Sequence, residues 1–115
     1  MHQLQIKHVV IFCLHTGKGT PETDCFLKES ADELSRIPGV EHFEVLQQVS
    51  FNNNYDYGFS MVFANQAAYD AYQVHPLLTR YVAEYWVNQV SRFQEMDFID
   101  FNGGSHHDTF EITER

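Results

Sequence analysis

The chain has 115 residues, of which 43% are hydrophobic and 15% aromatic, and its formal net charge is −9 at neutral pH. This length predicts one domain with its own core, and seven dispersed Lys and Arg residues argue against binding to a phosphate backbone. No segment reaches the roughly 18 apolar residues of a membrane span, and the first residues lack a signal-peptide pattern, so we expect a cytoplasmic protein that binds neither nucleic acid nor membrane.

The first third of the chain has the pattern of a strand followed by a helix. Residues 6–14 are rich in β-branched and aromatic side chains at both odd and even positions. Since successive side chains of a strand point to opposite faces, this pattern predicts a strand covered on both faces. Thr20 can cap a helix that has Pro21 at its first position and runs to about Arg36, where Pro38 and Gly39 end it.

Two further strands are predicted next. Residues 40–50 form a half-polar strand, and the asparagines that follow Phe51 favour a turn. Residues 55–64 form the third strand, and its large side chains share one face: Tyr55, Tyr57, Phe59, Met61 and Phe63.

A long amphipathic helix is predicted from Asn65, which caps it, to about Val90. Pro76 interrupts this helix, because proline in a helix interior loses a hydrogen bond and clashes with the preceding turn. His75 is expected to end the first half and to bond a nearby carbonyl or carboxylate, so His75 and Pro76 have a structural role. Residues 93–101 supply the fourth strand.

The element order β-α-β-β-α-β predicts an α+β, ferredoxin-like domain over residues 1–101: a four-stranded antiparallel sheet with both helices on one face. Strands one and three are apolar on both faces, so the second face should pack against another copy of the chain. Two such sheets would form a dimeric α+β barrel, a homodimer through the open sheet face. Residues 102–115 form a polar C-terminal tail.

Five segments in this order resemble the stress-responsive A/B-barrel (Dabb) family over residues 4–101. They are residues 6–12, 37–40, 55–59, 72–76 and 98–101. The resemblance implies a dimeric α+β barrel, and many members are known only as stress-associated or uncharacterised proteins.

One plant member of that family is a cofactor-independent polyketide cyclase that works with a tyrosine and a histidine. Its tyrosine is matched by Tyr72, but its catalytic histidine is matched by Leu78. Its strand-one histidine is matched by His8, and its strand-three histidine is replaced by Tyr57.

His8 and Tyr72 are therefore the candidate catalytic residues. A histidine on an apolar strand face can act as a general base, and a tyrosine hydroxyl can donate to a developing oxyanion. The alternative for each is a hydrogen-bonded core residue. Four further residues are candidates for ligand contact: Tyr57, Phe59, Met61 and Leu78.

The two cysteines, Cys13 and Cys25, lack CxxC spacing and are expected to be buried free thiols. No cofactor motif is present, because Gly17-Lys18-Gly19 lacks the phosphate-loop spacing. No metal site is expected either, since adjacent side chains in the tail segment with His106, His107, Asp108 and Glu111 point apart on an extended chain.

Three functions follow from these observations. The first is a Dabb-type protein of unestablished activity that binds a small hydrophobic or aromatic molecule in the barrel or in the cleft beside the broken helix. The second is a cofactor-independent enzyme, similar to a polyketide cyclase or an isomerase, in which Tyr72 polarises a carbonyl and His8 removes a proton. The third is a homodimer with a purely structural function, which depends on its resistance to unfolding.

Overall fold

A computed structural model describes residues 4–101 of the chain and confirms the ferredoxin-like α+β architecture. The strands are β1 (Ile6–Leu14), β2 (Glu41–Gln47), β3 (Tyr57–Phe63) and β4 (Val90–Phe98). The helices are α1 (Pro21–Ser35), α2 (Gln66–Gln73), α3 (Pro76–Tyr81) and the short α4 (Val87–Gln89), and a π-helical turn (Val82–Trp86) joins the last two. The predicted polar tail, residues 102–115, lies outside the described residues.

The four strands form one antiparallel sheet in the order β2-β3-β1-β4. This order puts β1 in the middle beside β4 and leaves β2 and β4 at opposite edges. In the register, His8 lies opposite Met61 of β3 on one side and opposite Asp97 of β4 on the other. The fourth strand begins at Val90 rather than at Phe93, because it follows directly on the last helical turn, and it ends at Phe98 rather than at Phe101.

Helix α1 begins and ends where its local sequence predicts. The Thr20 hydroxyl accepts a hydrogen bond from the backbone N–H of Thr23 at 3.1 Å, and Pro21 occupies the first turn. Gly39, with φ of +94°, reverses the chain after the helix. Phe26 and Leu34 then bury the inner face of α1 against the sheet.

The long second helix is divided rather than continuous. Asn65 caps α2 by accepting from the N–H of Ala68 at 2.9 Å, as predicted. His75 is the N-cap of α3: its ring Nδ1 accepts from the N–H of Leu77 at 3.1 Å, so the ring stabilises the start of the second half instead of bonding a carbonyl or carboxylate. A π-helical turn follows, which the sequence pattern did not predict.

The core lies between the sheet and the helices. The large side chains of β3 share the helix-covered face, and Phe12, Phe59 and Phe63 are fully buried there. The opposite face of the sheet carries the other parity of β1, with Val9 and Ile11 partly exposed and Cys13 buried.

Both cysteines are free thiols, but Cys25 is exposed on α1, so the expectation that it is buried was wrong. Among residues 4–101 no helix is long and apolar enough to cross a membrane.

Candidate functional site

A partly open cavity of about 240 Å³ lies between the helix-facing side of the sheet and helices α2 and α3. Residues from β1, β3, β4, α1, α2, α3 and the π-helical turn all contribute to its wall. The wall is mainly apolar and aromatic. Its side chains with titratable or hydroxyl groups are His8, Tyr69, Tyr72, Tyr81 and Glu95.

His8, in this wall, is hydrogen-bonded to Asp97 on the neighbouring strand. Their strands pair so that the two residues are direct neighbours, and His8 Nδ1 lies 2.6 Å from Asp97 Oδ1. The His8 side chain is 7% exposed, whereas that of Asp97 is 46% exposed. The carboxylate therefore holds a buried imidazole by one nitrogen while it faces water itself, and a carboxylate in this position fixes the orientation of the ring.

Tyr69, on α2, closes this cluster from the helix side. Its hydroxyl donates to the Asp97 carboxylate, 2.9 Å from Oδ2 and 3.0 Å from Oδ1, and lies 3.2 Å from His8 Nδ1. Burial, together with the hydrogen bond to Asp97, raises the pKa of Tyr69 well above its usual range. The hydroxyl therefore keeps its proton and remains a donor to the carboxylate at neutral pH.

Tyr72 follows one helical turn after Tyr69 and lines the same cavity. Its ring centre lies 6.2 Å from that of His8 and 4.8 Å from that of Phe63. Burial is the main reason why the pKa of Tyr72 is raised, and the negative charge of Glu95 adds to it. The phenol is thus a neutral hydrogen-bond donor beside the imidazole.

A buried hydrogen-bonded pair and a cluster of aromatic rings stabilise the far wall of the cavity. Ser30 Oγ and Tyr81 Oη lie 2.6 Å apart, which links α1 to α3. Trp86, in the π-helical turn, packs against Phe12 and Phe93 with ring-centre distances of 5.2 and 5.5 Å. Turns of π-helix are frequent at functional sites, and this one places the indole in the cavity wall.

Residues 6–100 match the family model of the stress responsive A/B barrel domain, Dabb. The chain belongs to the Dabb family. A search of curated proteins finds no match to it.

Three solved structures place this Dabb domain among its relatives. A Dabb family protein with a ferredoxin-like fold from Mesorhizobium loti is 41% identical, with a TM-score of 0.83 over 86% of this chain and 99% of that one. A dimeric ferredoxin-like protein of unknown function from Thermobifida fusca is 17% identical, with a TM-score of 0.68 over 84% and 92% of the two chains. Hydroxynitrile lyase from Passiflora edulis is 10% identical, with a TM-score of 0.70 over 93% and 97%. The last two show the fold alone.

The structure of this Dabb domain brings most of the predicted site residues together. The candidate catalytic pair, His8 and Tyr72, lines one cavity, and Phe59, Met61 and Leu78 line it as well. Tyr57 does not: it borders a separate depression beside Lys18 and Leu46. His75 and Pro76 lie at the α2–α3 corner, outside the cavity wall.

Sequence reasoning missed Tyr69, Asp97 and Glu95. Tyr69 had a usable signal, because it lies three positions before Tyr72 and so shares its helix face. The two carboxylates could be found only from the register of β4 against β1. Their roles depend on a pairing between strands at opposite ends of the chain.

In chemical terms, the Dabb cavity joins an oriented imidazole and a neutral phenol. An imidazole held by a carboxylate can accept a proton through its other nitrogen, and the phenol can donate to a carbonyl oxygen. Within residues 4–101 there is no group of three or more His, Cys, Asp or Glu side chains that could hold a metal ion. The tail residues His106, His107, Asp108 and Glu111 lie outside the described part of the chain.

Proposed function

We propose that this Dabb protein binds a small, mostly apolar molecule with polar substituents in the cavity between its sheet and its helices. The observation that carries the proposal is the convergence of His8, Tyr72 and Glu95 on one largely aromatic cavity. Apolar pockets with a few placed polar groups are the usual form of small-molecule sites. A cavity beside Tyr72 also favours a ligand-binding function over a purely structural homodimer.

The cavity volume limits the size of the molecule. The volume of the cavity is about 240 Å³. Sites for drug-sized ligands begin at about 300 Å³. The expected ligand is therefore a single substituted ring or a compound of similar size, rather than a fused polycyclic one.

The only tryptophan of the chain gives a direct test, because Trp86 lines the cavity. Titration of the protein with single-ring aromatic compounds should change the Trp86 emission in a saturable way. Leu78→Phe adds bulk to the cavity wall and should weaken binding, whereas Leu77→Phe, at a 40% exposed neighbour outside the wall, should not. Equal behaviour of the two variants would place the ligand elsewhere.

A second candidate function, cofactor-independent proton transfer, is favoured by the 2.6 Å contact between His8 and Asp97. In this scheme His8 Nε2 removes a proton from carbon next to a carbonyl of the ligand, and the Tyr72 hydroxyl donates to the resulting enolate oxygen. Where a carbon–carbon double bond adjoins that carbon, return of the same proton from His8 to the far carbon of the dienolate shifts the double bond and gives an isomer, so the step needs no oxidant or cofactor. The lyase from Passiflora edulis has the same fold, which shows that this fold can host an enzyme.

Hydrogen–deuterium exchange separates catalysis from binding. Carbonyl compounds that bind are incubated with the protein in D2O, and the loss of the adjacent C–H signal is followed by proton NMR. His8→Gln should reduce the exchange rate to that of buffer, and Asp97→Asn should reduce it by about 10²-fold or more. Bound compounds that exchange no faster than in buffer would leave binding as the function.

We also propose that the protein is a homodimer through the sheet face opposite the helices. Ile11 and Met96, on adjacent strands, are partly exposed on that face, and the relative from Thermobifida fusca is described as dimeric. Ile11→Glu should give a monomer in sedimentation at micromolar concentration. Val74→Glu, at an exposed apolar position on the α2–α3 corner, should not change the mass. A wild-type monomer would contradict the proposal.

A further inference from the structure

We infer that the ligand of this cavity carries a positive charge: a single-ring amine or ammonium compound held between aromatic side chains and the carboxylate of Glu95. This inference rests on the proposed function and specifies the chemical class of its ligand. Two independent features of the cavity wall lead to it: the negative charge of Glu95 and the density of aromatic side chains.

The first feature is that Glu95 forms no ion pair within the described residues. It lies on β4 opposite Val10, on the same face as Asp97 and Phe93, and it contributes to the cavity wall. Asp97 is engaged by His8 and Tyr69, but among residues 4–101 Glu95 forms no ion pair. Of the described residues that line the cavity, none is Lys or Arg. Within residues 4–101 the carboxylate thus lacks a cationic partner, and a ligand can supply one.

The field of Glu95 reaches into the cavity, because its charge contributes to the raised pKa of Tyr72. The same field opposes a ligand carboxylate or phosphate and favours a ligand cation. Since its side chain is exposed at the sheet edge, Glu95 can meet an ammonium group without the full cost of desolvating a buried charge.

The second feature is the density of aromatic side chains in the wall to which Glu95 also contributes. Tyr69, Tyr72, Tyr81, Trp86 and Phe93 all line the cavity. A cation within about 6 Å of an aromatic ring centre is attracted by the negative ring face, most strongly at tryptophan. Aromatic cages with a nearby carboxylate are suited to ammonium groups, and an apolar neutral ligand would use the rings but leave Glu95 unpaired.

Three probes of matched size test the charge of the ligand: benzylamine, benzyl alcohol and benzoate at pH 7, titrated calorimetrically into the full chain. We expect benzylamine to bind about tenfold tighter than benzyl alcohol, and benzoate to bind most weakly. Glu95→Gln should bring the affinity for benzylamine down to about that of benzyl alcohol and leave benzyl alcohol unchanged. Glu41→Gln removes the same charge from β2 at the opposite edge of the sheet and should change neither affinity.

The outcomes separate this inference from the function on which it rests. If benzyl alcohol binds as tightly as benzylamine, or if Glu95→Gln keeps the amine preference, the inference is overturned while the cavity remains a binding site. If Glu41→Gln weakens amine binding as much as Glu95→Gln does, the preference comes from the net charge of the chain and the inference also fails. If none of the three probes binds, both the proposed function and the inference are overturned.

Discussion

His8 Nδ1 lies 2.6 Å from Asp97 Oδ1, although the two residues stand 89 positions apart in the chain. The contact exists because β1 and β4, the first and last strands, are neighbours in the sheet. Tyr69 completes it from α2, so three elements meet at one carboxylate. The site is therefore a product of the tertiary structure and forms only when the whole domain folds.

Asp97→Asn should lower the free energy of unfolding by about 1 kcal/mol, because hydrogen bonds to a charged group are lost while the shape is kept. The loss is modest since the Asp97 side chain is 46% exposed and partly screened by water. Urea denaturation measures the change. Asp32→Asn, at a carboxylate on α1, is the control, and equal stability of the two variants would mean that the cluster contributes nothing to folding.

The buried hydrogen bond between Ser30 and Tyr81 should contribute more to stability than the hydrogen bonds to the half-exposed Asp97 carboxylate. Ser30→Ala removes one partner of a 2.6 Å contact and should cost about 1–3 kcal/mol. Tyr81→Phe should cost a similar amount for the same reason. The double variant should lose less than the sum of the two, which a thermodynamic cycle from urea denaturation will reveal; additive losses would show that the two hydroxyls are not coupled.

Alkaline pH should destabilise the fold through its buried tyrosines. Burial raises the pKa of Tyr69, Tyr72 and Tyr81 above the ordinary value near 10. Above pH 10 the unfolded chain releases these protons while the folded chain keeps them, so the unfolded state binds fewer protons and stability falls as pH rises. The slope is about 1.4 kcal/mol per pH unit for each tyrosine.

Tyr72→Phe tests whether the raised pKa of Tyr72 contributes to this alkaline loss of stability. It should leave the unfolding free energy at pH 7 nearly unchanged and reduce the loss between pH 10 and 11 by about 1 kcal/mol, since one titrating phenol is removed. Chemical denaturation at the three pH values provides the comparison. A variant with the same alkaline loss as wild type would show that Tyr72 ionises as easily in the fold as in the unfolded chain.

The sequence predicts what depends on neighbouring residues. The caps at Thr20 and Asn65, the break at Pro76 and the single face shared by Phe59 and Met61 all follow from spacing or backbone chemistry within a few residues, and the structure has each of them. Strand β1, predicted to be covered on both faces, lies inside the sheet between β3 and β4, and Val9 and Ile11 are partly exposed on its face opposite the helices.

The rest depends on pairings that no local pattern contains. Glu95 lines the cavity, and Asp97 contacts His8, only because β4 pairs with β1 in one register and not in the next. The π-helical turn at Val82–Trp86 has no propensity signal in the sequence, and its Trp86 ring packs against Phe12 of β1 and Phe93 of β4. Tyr57 shares a strand face with Phe59 and Met61 but lies at the far end of the strand, beyond the reach of the cavity.

Gly39 lies between α1 and β2, where the chain approaches α2. Because α2 carries residues of the cavity wall, the backbone at Gly39 is close to an element of the candidate site. Its φ is +94°, and a Cβ there would lie 3.7 Å from Ala68 O and 3.9 Å from Phe63, which are ordinary van der Waals distances. The cost of Gly39→Ala should therefore come from the backbone alone, about 1–2 kcal/mol. Gly19→Ala is the matched control, with φ of +74° and open space around its Cβ.

The two glycine variants should lose the same unfolding free energy within about 0.5 kcal/mol, and Trp86 emission in titrations with a bound ring compound should be unaffected in both. The reason is that neither substitution moves α2, which carries Tyr69 and Tyr72 into the cavity. A larger loss for Gly39→Ala, accompanied by weaker ligand binding, would mean that α2 is displaced by a single methyl group and that the contact at Gly39 sets the width of the site.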